Sequence, residues 1–265
     1  MQPTPKTHLT TFWLFTLTAV AISWIAWGVI LATGQNPLDS ALVILYILGW
    51  CGPSLAGFFW AWRREGTPGL ARLASRALQF RIGGYYAIII LLWPLLFGIS
   101  ALFSTASGSP VPSFATLRNL MSNPLAILPL AAATLVVGPL SEEFGWRGFA
   151  LEPLNARLGP VLSSLLLGAV WGVWNLPLFF MPGTSQNGLP ILLFLANILA
   201  LSVIFTWVYQ STRGSLAIVI LLHFMYNLAG ALLPLSPRAL FFLVVLQIPF
   251  VLPLVIGWLL EKRAR

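Results

Sequence analysis

Six acidic residues occur in 265, and two of them, Glu142 and Glu143, stand side by side with Arg147 four residues after the second. An apolar run, residues 129–140, leads into them, and Gly148, Phe149, Ala150 and Leu151 follow. At i,i+4 on one helical face, Glu143 and Arg147 can offset each other's charge. Glu142 has no such ionic partner. A positioned carboxylate that can take a proton from water is a candidate general base. The plainer alternative is that the charges only help two helices pack, which leaves Glu142 without a role. Of the two histidines, His8 lies in the N-terminal tail and is expected to be solvated. His223 sits inside a long apolar run with Asn227 four residues on, so the two side chains share a helix face. Together they could donate hydrogen bonds to a developing oxyanion. Asn175 is a third polar group in apolar surroundings, followed by Leu176 and Pro177. Its alternative use is a hydrogen bond that glues two helices, worth about 1 kcal/mol.

The elements that must carry these residues are membrane spans. Hydrophobic residues make up 58% of the chain and charged residues 8%, against about 25% charged in a soluble domain. Three charges inside an apolar run are costly in lipid and mark a site. Apolar runs are read at 12–33, 40–62, 84–103, from Pro124 through the acidic pair, 160–180, 189–209, 215–233 and 240–260. The expected fold is all-α, a multi-pass bundle of about eight helices forming one membrane domain over 1–265. Residues 67–81 read either as an amphipathic surface helix or as a charged loop, and residues 104–123 as a polar connection. Cys51, the single cysteine, reads as a small packing residue.

Charge sets the expected orientation. With Arg147 counted as intramembrane, Lys6, Arg63, Arg64, Arg72, Arg76, Arg81, Arg157, Arg213, Lys262, Arg263 and Arg265 fall on one side. Arg118 and Arg238 fall on the other. Eleven against two places both termini in the cytoplasm. The basic residues cap apolar runs, so the net charge of +8 does not point to nucleic acid. If the helix carrying Glu142 ends near Arg157, Glu142 lies roughly 22 Å from that end. Asn175 lies at a similar depth from Pro160, and Asn227 roughly 20 Å from Gly214. The three helices can therefore converge at one level.

Glu142-Glu143-x-x-x-Arg147, the tryptophan-rich segment ending in Asn175-Leu176-Pro177, and His223-x-x-x-Asn227 resemble the three motifs of the CAAX-protease and bacteriocin-processing (CPBP) family of intramembrane endopeptidases. The resemblance covers about residues 124–233, the expected protease-like core. It implies an eight-helix bundle around an intramembrane cavity. By it, Glu142 activates the hydrolytic water, Glu143 and Arg147 support it, and His223 and Asn227 hold the oxyanion. The family's second motif normally ends in a histidine where this chain has Asn175. An amide can bind water but is no base near neutral pH. Two readings therefore stand: an endopeptidase acting on a membrane-associated or lipidated substrate, and an impaired relative acting as a membrane binding or immunity protein. A transporter with a buried proton relay is a third. No cofactor is expected. A divalent metal such as zinc is the alternative, though one histidine is few for a catalytic zinc site.

Overall fold

A computed structural model describes residues 5–80 and 85–263 of the chain. Arg81, the Gly84 start of the third run, residues 1–4 and the 264–265 tail lie outside the described residues, as do the side chains of Lys6, His8 and Arg263. Ten α-helices follow in order: α1 Pro5–Thr33, α2 Val43–Arg76, α3 Tyr85–Ala106, α4 Ala115–Ser122, α5 Ile127–Leu135, α6 Ser141–Gly145, α7 Leu151–Trp174, α8 Ile191–Ser211, α9 Leu216–Leu232 and α10 Pro237–Arg263. Among the described residues, six stretches are long and apolar enough to cross a membrane, and α9 is a shorter apolar helix. One of the six runs for 57 residues, Pro124–Phe180. As a straight helix it would reach roughly 85 Å, nearly three times a bilayer's hydrocarbon core. Gly159, at φ 75° and ψ 172°, breaks it ahead of Pro160, and the chain turns back there. The result is a multi-pass membrane protein of eight apolar passes.

The acidic pair does not ride on one continuous helix. Val137 (ψ 102°) and Gly138 (φ 109°, ψ −87°) leave the helical region, and Pro139 has no N–H to continue the ladder. The Ser141 hydroxyl ties the break, accepting from the Gly138 N–H at 2.9 Å and donating to the Gly138 carbonyl at 3.2 Å. Irregular backbone at membrane depth persists where protein buries it, and Gly138 and Pro139 are buried. Beyond the break, α6 packs closely on α2. A Cβ at Gly145 would collide with the backbone of Pro53, and one at Gly57 would stand 3.0 Å from the Phe144 carbonyl. Small residues allow this approach in lipid, where packing rather than water drives association. The Ser54 hydroxyl then donates to the Leu140 carbonyl at 2.9 Å.

Helix α1 closes the other side of α2. Ser23 donates to the Gly49 carbonyl at 2.6 Å and accepts from the Trp174 indole at 2.7 Å. Trp174 also meets the rings of Trp27, Trp50 and Trp146 at 5.0–5.8 Å. Where the sequence left residues 67–81 open between surface helix and loop, α2 bends at Gly66 (φ 64°) and stays helical to Arg76. Its Leu73 is buried. Arg76 does not dangle at the surface. It donates to the Gly148 carbonyl at 3.3 Å, the Tyr209 hydroxyl at 3.0 Å and Glu152 at 2.6 Å. This end of the bundle is thereby clasped to the chain just past the acidic pair. Likewise, the polar connection at 104–123 holds a short helix, α4.

Candidate active site

Glu142, Glu143 and Arg147 are all buried, at 1%, 0% and 0% exposure. Their one-turn spacing on α6 and the π-helical turn Trp146–Ala150 decides who meets whom. The Arg147 guanidinium donates to both Glu143 oxygens, at 3.0 and 3.2 Å. Its plane also lies over the rings of Trp171 and Phe205, 4.5 and 4.8 Å from their centroids. Its Nε and Nη2 have no hydrogen-bond partner, so the two aromatic faces are what meets that side of the cation.

Glu142 is held differently. Among the described residues it forms no ion pair. Two indole N–H groups converge on its Oε2, from Trp146 at 3.2 Å and from Trp171 at 2.5 Å. Trp146 is four residues on along the same helix. Trp171 reaches in from α7, which the turn at Gly159 folds back beside α6. The contact between these passes falls one helical turn before Asn175. The Asn175 amide is spent on its own helix, donating to the Trp171 carbonyl at 2.9 Å.

His223 and Asn227 face the same site from α9, whose start is fixed by the N-cap Ser215, accepting from the Ile218 N–H at 3.4 Å. His223 Nδ1 lies 2.7 Å from Glu143 Oε1. Glu143, already paired with Arg147, is an acceptor, so Nδ1 carries the proton and Nε2 faces away. Asn227 Nδ2 donates to the Val137 carbonyl at 3.2 Å, the carbonyl released by the helix break. The missing side chain of Gly138 makes the room: a Cβ there would strike Asn227 Nδ2 and come within 3.4 Å of His223 Nε2. The imidazole and the carboxamide therefore converge on the Gly138 α-carbon.

A cavity of about 490 Å³ reaches the site, with Asn227 and Val137 in its wall. Of the six residues expected to form the site, Asn227 is the one that lines it. Glu142, Glu143, Arg147, His223 and Asn175 do not line it and are buried, each 4% exposed or less. Among the described residues, no three His, Cys, Asp or Glu side chains group closely enough to hold a metal ion. Sequence reasoning did not identify Trp146 and Trp171 as donors to Glu142, although Trp146 stands at i+4 and could have been found by spacing. It also missed a buried polar chain beside the cavity: Gln247 donates to Asn197 at 2.7 Å, and Asn197 to the Tyr226 hydroxyl at 2.8 Å.

Comparison with known proteins meets this geometry. Residues 124–229, which contain all six site residues, match the family model of the type II CAAX prenyl endopeptidase Rce1-like proteins. The chain is 30% identical over 159 residues to a protein named CAAX prenyl protease 2 from Methanococcus maripaludis. That alignment covers 56% of this chain and 56% of the relative, so the chain spans little more than half the length of the curated protein it matches. Both findings bear out the resemblance to the CPBP proteases read from the three motifs.

Proposed function

We propose that the chain is an intramembrane endopeptidase that hydrolyses a peptide bond of a membrane-associated substrate with water activated by Glu142. The observation that carries this reading is the unequal treatment of the two carboxylates. Glu143 is hydrogen-bonded to a cation, whereas among the described residues the hydrogen-bond donors to Glu142 are neutral indoles. Taking up a proton at Glu142 strands no charge. Taking one up at Glu143 would strand a fully buried Arg147. In the proposed step, water loses a proton to Glu142 while its oxygen bonds to the scissile carbonyl carbon. The carbonyl oxygen becomes an oxyanion and accepts from Asn227 Nδ2 and, in the imidazolium form, from His223 Nε2. Collapse breaks the C–N bond, and the proton on Glu142 passes to the leaving amine. The donor set of two carboxylates, one imidazole and amides favours a reaction without a metal.

Replacing Glu142 with Gln keeps shape and hydrogen bonding but removes basicity. The expected result is loss of cleavage with normal membrane insertion. Wild-type turnover in that variant would overturn the mechanism. The cationic bias further supports cytoplasmic N- and C-termini. A reporter fused after the last residue should be active only in its cytoplasmic form.

The impaired-relative reading is favoured by one observation: the Asn175 amide bonds to the Trp171 carbonyl rather than to Glu142. Under it, the protein binds a membrane-associated partner in the cavity without turnover. An uncleaved peptide retained by the natural protein, but cut by Asn175→His, would select this reading.

A further inference from the structure

The cavity that reaches Asn227 has a sidedness. Its mouth is formed by Leu38, Ser185, Leu189 and Leu235. These residues lie in the connections between the first and second, fifth and sixth, and seventh and eighth passes. Two cations, Arg118 and Arg238, lie on the mouth side, and the rest of those outside the site lie at the other end. Arg63, Arg64, Arg72 and Arg76 follow the second pass, Arg157 the fourth, Arg213 the sixth and Lys262 the eighth. Arg157, Gln210 and Lys262 border a separate recess of about 730 Å³ there. The Arg76–Glu152–Tyr209 clasp belongs to that same end. In a bilayer the cation-rich end is cytoplasmic, so the mouth opens on the opposite face.

The lining adds a chemical restriction. No Asp, Glu, Lys or Arg is among the residues that wall the cavity, while Tyr46, Trp50, Phe97, Phe194 and Tyr226 are. Such a wall suits an uncharged apolar segment and costs a charged one its hydration. Asn227 lies five residues before the end of α9 at Leu232, roughly 8 Å along the helix. A bond brought to Asn227 therefore sits in the half of the membrane nearer the mouth.

We propose that this mouth is the substrate entrance and that it faces the extracytoplasmic side. The substrate is then an uncharged apolar segment of a secreted or membrane-anchored protein, presented near the outer membrane surface. A lipid-modified tail presented from the cytoplasm would meet the wrong end of the bundle. The inference rests on the endopeptidase reading for its substrate and on the charge-derived orientation for its side.

The test separates the two. In a Cys51→Ser background, Leu38→Cys and Ser185→Cys place exposed thiols at the mouth, and Arg157→Cys and Gln210→Cys at the opposite end. Intact cells are treated with a membrane-impermeant maleimide. The mouth positions should react in intact cells, and the other two only after permeabilisation. The reverse pattern overturns the proposal, and this arm needs no catalysis. Two single-span reporters then carry one uncharged apolar segment on either side of the membrane. Cleavage of the external reporter, slowed at least tenfold by maleimide at Leu38→Cys, supports the substrate class. Cleavage confined to the internal reporter overturns it. Cleavage of neither, in cells whose mouth positions react, overturns the endopeptidase reading and the substrate with it, while the sidedness stands on the labelling.

Discussion

Replacing Trp171 with Phe tests the site at its most connected residue. The indole donates to Glu142 Oε2 at 2.5 Å, its ring underlies the Arg147 guanidinium at 4.5 Å, and it meets His223 edge-on at 5.6 Å. Phenylalanine keeps an aromatic face for the cation and the imidazole but removes the N–H. A hydrogen bond to a charged group contributes about 1.5–3 kcal/mol, and every 1.4 kcal/mol is tenfold. Trp146 still holds the same oxygen, at 3.2 Å. The expected loss is therefore about 10–100-fold in kcat, with KM little changed because Trp171 is not in the cavity wall. Trp146→Phe should cost less, and the double variant more than the sum, because two donors share one acceptor. Trp171→Ala should differ in kind. It also removes the surface under Arg147 and should lower folded yield by about 3–5 kcal/mol in stability. The assay is cleavage of one peptide library by detergent-purified variants, in the natural or the Asn175→His background, whichever turns over faster, with thermal unfolding in parallel. Unchanged kcat in both Phe variants would refute the claim that the indoles position Glu142 as the base.

The remaining predictions concern the groups around that carboxylate. Glu143→Gln leaves Arg147 buried without its counter-ion and should cost about 3–5 kcal/mol, read as lost folded yield as well as lost activity. Gly138→Ala forces an L side chain to φ 109° and into Asn227; about 1–3 kcal/mol of backbone strain plus a similar overpacking cost should appear as a lowered Tm. Asn175→His should raise turnover by up to about 10²–10⁴-fold if the imidazole supplies acid–base assistance, and a natural protein that cleaves well and gains nothing would remove position 175 from the chemistry. Arg76→Gln should cost only about 0–1 kcal/mol, because its partner Glu152 is half exposed; a larger loss in thermal unfolding would mean the clasp also holds the Gly148 turn in place.

What the sequence made legible was local. The Glu143–Arg147 pair follows from i,i+4 spacing, and the two side chains meet at 3.0 Å. His223 and Asn227 share a face for the same reason. The apolar runs marked the passes, and the turn ahead of Pro160 was already implied by ending one helix near Arg157. Gly138-Pro139 was a breaker signal inside the fourth run, but the run's hydropathy hid it. Hydropathy averages over a window and is blind to one residue at φ 109°. The inter-helix contacts were not legible, because they depend on rotation and depth together. Asn175 was placed near Glu142 by rise per residue alone, yet rotation gives that contact to Trp171, one turn earlier. Arg76 was read as a surface charge because its partners, Glu152 and Tyr209, are 76 and 133 residues away.

The two findings about depth and charge bear on each other. A site holding two carboxylates and one guanidinium at full burial carries a surplus negative charge when all three are ionised. Arg147 is the cation that bears on Glu142, but it is hydrogen-bonded to Glu143, and it and the indole dipoles offset the surplus only in part. The surplus would be relieved when Glu142 binds a proton, and in the proposed mechanism that proton comes from the attacking water. The helix break borders the cavity at Val137, whose released carbonyl occupies the Asn227 amide. A substrate carbonyl competing for Asn227 would have to displace the Val137 carbonyl first. In the proposed mechanism the residue that would meet the substrate carbonyl, Asn227, is the one hydrogen-bonded to the helix break, so loading the cavity would loosen the break beside the acidic pair. Water would then reach the base mainly when a peptide bond is already in place.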